Sequence, residues 1–229
     1  PDRLGRARAL NTGTRPDPLG SWLTPVRQRL AGELPGQPVG EGGHELVVHD
    51  INRGAVGLHL EAGAAWADTP QQVMEVSDVV FTSLPGPPEV QAVALGESGL
   101  IHGVRPGKVY FDLSTNSPTL LRHIHAEFGK VGAHVLDAPV SGGPRGARSG
   151  RLAIWVGGDR QIYDQYKPLL DAIGDKPYYV GPIGAGSIAK LVHNCAGYAI
   201  QTAIAEVFTM GVKGGVEPLV AAAAIDGSM

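Results

Sequence analysis

Short, strongly apolar runs recur along this chain with helical segments between them, and that alternation limits the possible folds more than any other feature. ELVVHD (45–50), SDVVFTSLP (77–85), KVYFDLS (108–114) and GAHVLDAPV (132–140) each read as a strand buried on both faces. Helical spacing fills 52–63, 70–76, 87–96 and 117–130, and Asn116 or Ser117 ahead of Pro118 is a natural helix start. RLAIWVGG (151–158) and KPYYVG (176–181) add two strands around a helix at 159–173. The expected class is α/β, with a parallel sheet covered by helices.

After Gly186 the pattern changes. Residues 187–213 hold no proline and form one long helical stretch rich in Ala, Ile and Val. Gly214-Gly215 punctuates it, and Pro218 opens a short Ala-rich segment. A helix of that length leaving a sheet domain usually joins it to a further domain. The start is different again: residues 1–43 are crowded with Arg, Pro and Gly, contain no lysine and have Trp22 as their one aromatic. They read as a linker or disordered arm, because Asp2, Asp17 and the prolines argue against a transit peptide.

Bulk properties exclude some roles. A formal charge of -3 gives no reason to expect nucleic acid or an anionic membrane as the main partner, and no apolar run approaches a membrane span. The single cysteine, Cys195, rules out an internal disulfide framework and fits a reducing, cytoplasmic compartment; in its apolar stretch it reads as a buried small residue. No metal-ligand set is read.

GPIGAGSIAKLVHN (181–194) offers two chemistries. Gly184-Ala185-Gly186-Ser187-Ile188-Ala189 satisfies G-x-G-x-x-G/A between a strand and a helix, the dinucleotide fingerprint. That fingerprint also needs a second strand with a terminal acid, and Glu206, at a suitable offset, lies inside the long helix instead. The turn therefore does not read as a phosphate cradle. Lys190 and Asn194 stand four apart on one helical face. Near the positive end of a helix, with partial burial, a lysine becomes a usable proton donor and acceptor. On spacing alone, a lysine snorkelling to solvent is an equal reading.

A second constellation lies upstream. DAPVSGGPRGARSG (137–150) follows a strand with Ser141-Gly142-Gly143, a turn whose hydroxyl and backbone amides suit a carboxylate. DLSTNSP (112–118) and SLPGPP (83–88) end strands at the sheet edge where α/β folds bind ligands. Taken together, these residues resemble the β-hydroxyacid dehydrogenase family, which includes 3-hydroxyisobutyrate dehydrogenase, tartronate semialdehyde reductase and relatives of 6-phosphogluconate dehydrogenase. The likeness runs from about His44 to the C-terminus.

The resemblance implies a Rossmann-like parallel sheet over 44–183, then an interdomain helix and a stub of an all-α domain over 184–229. It implies reversible hydride transfer between nicotinamide and a small 3-hydroxy acid. Lys190 would be the acid/base, Asn194 would orient the substrate, and Ser141, Gly142 and Gly143 would bind its carboxylate. Leu84, Pro85 and Thr115 would line the cofactor. Asp50 would bond the adenosine ribose hydroxyls, which favours NAD, while Arg53 leaves NADP open. His193 stands where many members have asparagine. The family's first strand and G-x-G-x-x-G loop have no counterpart in 1–43, which are expected to be irregular, and the all-α domain reads as truncated after Met229. Weak cofactor binding and poor turnover would follow. A homo-oligomer stays open, as do a non-catalytic binding module on the same fold, a 6-phosphogluconate enzyme and an imine reductase; Lys190 argues against the last.

Overall fold

The apolar runs do become strands, and both of their faces are covered because alternate residues enter different cores. The computed structural model describes residues 7–10, 46–61 and 63–227, with only the backbone of Ala7–Leu10. In order, the described strands are β1 (Ala7–Leu10), β2 (Val47–His49), β3 (Ala65–Trp66), β4 (Val79–Thr82), β5 (Val109–Asp112), β6 (His134–Asp137), β7 (Val140–Ser141), β8 (Leu152–Gly157) and β9 (Gly174–Gly181). The described α-helices are α1 (Gly57–Glu61), α2 (Pro70–Val76), α3 (Pro87–Leu95), α4 (Pro118–Gly129), α5 (Gly143–Ser149), α6 (Arg160–Asp171), α7 (Ala185–Lys213) and α8 (Pro218–Asp226). They group into two compact units, Pro1–Lys190 and Leu191–Met229.

In the first unit the strands form one sheet in the order β3-β2-β1-β4-β5-β6-β8-β7, with β9 on β8. Pairing is parallel from β3 through β6, antiparallel where β8 meets β6 and β7, and parallel again between β8 and β9. Along β4 and β5, Val79, Phe81, Val109 and Phe111 enter one core with α6, while Val80 and Tyr110 enter the other with α4. Phe81 stacks on Phe111 at 5.1 Å in the first core. Chain order reverses at β1, with β2 and β3 on one side and β4 to β6 on the other. In such sheets ligands bind outside the carboxyl ends of the strands at that switch point.

Residues 1–43 were expected to lack a strand, yet Ala7–Leu10 is one, paired in parallel with both β2 and β4. Its central place comes from long-range backbone pairing, which can override a short Arg-containing sequence with little strand preference. The rest of 1–43 lies outside the described residues.

The helix ends follow local rules. Thr69 caps α2 by accepting from the Gln72 amide, Ser117 caps α4 ahead of Pro118, and Asp159 caps α6. At the far end of α2, the Lys108 ammonium donates to the carbonyls of Met74, Glu75 and Ser77. The second unit holds α7 from Leu191 onward and α8, capped by Glu217. Its described residues leave many large apolar side chains exposed, Met210 at 70% and Leu219 at 78%. Cys195 is also exposed, not buried as its apolar neighbours suggested, because the helix around it shows most of its surface.

Candidate active site

The carboxyl edge of the parallel strands gathers most of the candidate residues. Asp50 follows β2 and is buried, with its Oδ1 accepting from the Asn52 amide at 2.8 Å. Beside it, the Arg53 guanidinium lies over the Trp66 ring at 5.1 Å. Leu84 is buried, and Pro85 and Thr115 are exposed, in the turns after β4 and β5. The two turns are tied together, since the Leu84 amide donates to Ser114 Oγ at 2.9 Å.

Beneath these turns lies a polar network that sequence reasoning missed. Thr82 Oγ1 bonds both Asp112 Oδ1 and the Tyr110 hydroxyl at 2.9 Å, and Asp112 also accepts from the Ser114 amide and from Asn116 Nδ2. Burial pushes the Asp112 carboxyl above the usual range, against the lowering effect of these hydrogen bonds. Burial, followed by the nearby Asp112 charge, pushes the Tyr110 phenol well up. The available signal was a Thr and an Asp ending otherwise apolar strands at 82 and 112.

The Ser141-Gly142-Gly143 turn sits between β7 and α5. Gly142 has φ 129° and Gly143 φ 62°, conformations that side chains rarely adopt. A Cβ on Gly142 would also press on Leu152 at 3.3 Å. Ser141 is held opposite Ala153 on β8, and the Trp155 amide donates to Pro139 O. Two residues beyond Ala153, the Trp155 ring receives Lys190, whose Nζ lies 5.8 Å from the ring centroid. Strand β8 thus carries the Ser141 turn at Ala153 and Lys190 at Trp155, two residues further on.

Lys190 is 7% exposed, and among the described residues its ammonium has no ion pair or hydrogen bond. Burial holds it below the usual lysine range. The glycines before it make no phosphate cradle. Gly184, at φ 89°, turns the chain, and its amide and that of Ser187 both donate to the Asp137 carboxylate, at 2.8 and 2.6 Å. A Cβ on Gly186 would strike the Trp155 and Asp137 carbonyl oxygens, so this glycine allows helix and sheet to touch. Asn194 and His193 belong to the second unit, half-buried and exposed respectively.

Residues 36–181 match the NAD binding domain of 6-phosphogluconate dehydrogenase. The chain belongs to this family. It is similar to the NAD-dependent L-serine dehydrogenase of Pseudomonas aeruginosa, 36% identical over 182 residues, covering 80% of this chain and 61% of that protein. The 2-hydroxy-3-oxopropionate reductase of Escherichia coli is 34% identical, over 88% of this chain and 65% of that one. A solved 3-hydroxyisobutyrate dehydrogenase of Mycobacterium tuberculosis, with L-serine, superposes with a TM-score of 0.79 at 30% identity, over 93% of this chain and 67% of that one. The chain thus spans about three fifths of the length of the two curated relatives. No described helix is long and apolar enough to cross a membrane.

Proposed function

We propose that this chain works as an NAD(P)-dependent 3-hydroxyacid dehydrogenase of the 3-hydroxyisobutyrate or tartronate semialdehyde type, in the cytoplasm. The observation that carries the proposal is the buried Lys190 ammonium on the Trp155 ring, one strand away from the Ser141-Gly142-Gly143 turn. The carboxyl edge fits a dinucleotide: a buried carboxylate, Asp50, ends β2 where ribose hydroxyls would donate, and an exposed Thr115 and Pro85 flank the β1/β4 switch point. Asp50, Leu84, Pro85 and Thr115 would hold it, with Arg53 able to meet a 2′-phosphate. When bound, the nicotinamide supplies the hydride acceptor and donor.

The chain's own residues do the rest. Ser141 and the Gly142 and Gly143 amides hold the substrate carboxylate. As the neutral amine, Lys190 takes the proton of the substrate hydroxyl at Nζ during oxidation, and as the ammonium it gives a proton to the carbonyl oxygen during reduction. Its lowered proton affinity suits both directions. Asn194 carries the orienting role by resemblance. We further propose a domain division between 183 and 184, with β1 belonging to the sheet of the first domain, and a homo-oligomer as the assembly to look for.

The test is Lys190→Ala, with turnover followed through NADH absorbance and cofactor affinity through NADH fluorescence. General acid–base catalysis contributes about 100- to 10,000-fold, so the variant should lose turnover on that scale and keep cofactor binding. Equal turnover in parent and variant overturns the role of Lys190. Cofactor binding without turnover in either form points to a non-catalytic module.

A further inference from the structure

A helix start needs acceptors for its first amides, and most helices find them in their own N-cap side chain. Helices α2, α4, α6 and α8 do so with Thr69, Ser117, Asp159 and Glu217. Helix α7 has no such option. The Ile188 amide bonds Gly184 O, which makes Gly184 the N-cap residue, and glycine has no side chain to offer. The missing acceptor comes from β6 instead, 47 residues earlier. Asp137 Oδ1 accepts from the N-cap amide of Gly184, and Oδ2 accepts from Ser187, three residues into the helix. One carboxylate thereby performs both halves of a capping box, which two residues of the same helix normally share.

Asp137 is 1% exposed, and among the described residues these two amides are the hydrogen-bond partners of its carboxylate. A buried carboxylate is costly unless charge or dipole meets it, and the positive helix end does so here. The approach is close on every side. A Cβ on Gly157 would collide with Asp137 Oδ1, and one on Gly186 would reach the Asp137 carbonyl. These glycines leave Asp137 one seat, and Lys190 lies one turn along the helix that it fixes.

We infer that Asp137 is a positioning residue that sets where Lys190 stands over the Trp155 ring by anchoring the start of α7 to the sheet. This rests on the acid/base reading of Lys190, but its test does not require turnover. Asp137→Asn keeps the shape yet can accept from only one of the two amides, so it should fold. Val109–Asp112 amides should stay protected, while exchange at Gly184 or Ser187 accelerates by about tenfold or more. Acylation of Lys190 by acetic anhydride, read by peptide mass spectrometry, should rise about threefold or more while that of Lys167 holds. Unchanged exchange at both amides in Asp137→Asn and Asp137→Ala overturns the anchor. Faster exchange with unchanged Lys190 acylation overturns the positioning role. In a chain that turns over, kcat should fall with KM for NADH held, whereas a parallel loss of both overturns the inference. If the parent shows no turnover, the activity reading fails, and exchange and acylation still decide this one.

Discussion

At the β4–β6 side of the sheet, stacked Phe81 and Phe111 join a core of sixteen buried residues, and the Thr82–Asp112–Asn116 network lies at the strand ends. At the β2–β3 side, Leu46, Val48 and Val56 are, among the described residues, the buried members of a cluster joined by half-buried Leu60, Ala64 and Trp66. Both sides end in turns at the same edge of one sheet, where the residues proposed to bind cofactor lie. Among the described residues one face of β2 packs in that small cluster while Val47 on its other face enters the second core with Val73 and Met74, and the buried hydrogen-bond network lies on the side proposed to face the chemistry. Precision is concentrated where atoms would have to be aligned.

Truncating each core sharpens this contrast most. Phe111→Ala should cost about 3–5 kcal/mol and Val48→Ala about 2 kcal/mol, read as urea midpoints at constant slope. Equal losses would erase the difference between the two sides. Gly186→Ala, which drives a methyl into two carbonyl oxygens, should cost about 1–3 kcal/mol and unsettle Lys190 before the sheet. A midpoint equal to the parent's would show that helix and sheet have slack there.

A smaller effect appears only against pH. The Asp112 carboxyl is raised in the folded chain, so its neutral form favours folding. That contribution is complete below the unfolded carboxylate value of about 3.9 and is lost as pH rises through the folded value. Asp112→Asn should therefore flatten the decline in stability above about pH 4 while keeping the hydrogen bond from Thr82. An unaltered pH slope would mean that Asp112 titrates as an ordinary surface acid. Smallest of all, Asp164→Asn removes an exposed partner of Arg160 and should leave the midpoint unmoved. A clear loss there would show that this exposed ion pair holds the fold as firmly as the buried hydrogen bonds do.

Much of this was legible from residues alone, because strands covered on both faces must be apolar throughout. VVFT and VYFD announce β4 and β5 for that reason, and Ser117-Pro118 announces α4. Strands of two residues, β3 and β7, have too few side chains to show a period. Helix α5 hides behind the Gly and Pro of GGPRGARS. The lysine's candidacy was visible in its spacing, and its partner Trp155 was not, since contact across a sheet leaves no mark in sequence. The glycines of 184–186 read from the sequence as no phosphate cradle, and the structure adds a second reason. A long helix after them removes the strand that the fingerprint needs; Asp137 then fills the place where an anion would go.

The position of β1 also bears on how the chain reaches its fold. Ala9 lies between Val48 on one side and Phe81 on the other, both far along the chain. A strand paired only with distant partners gains nothing until those partners have been made, so its insertion carries a large closure entropy and tends to come late. Until then β2 and β4 present open, facing edges. Such edges can recruit strands from other molecules, which makes the ordering of one four-residue strand a step on which solubility during folding depends.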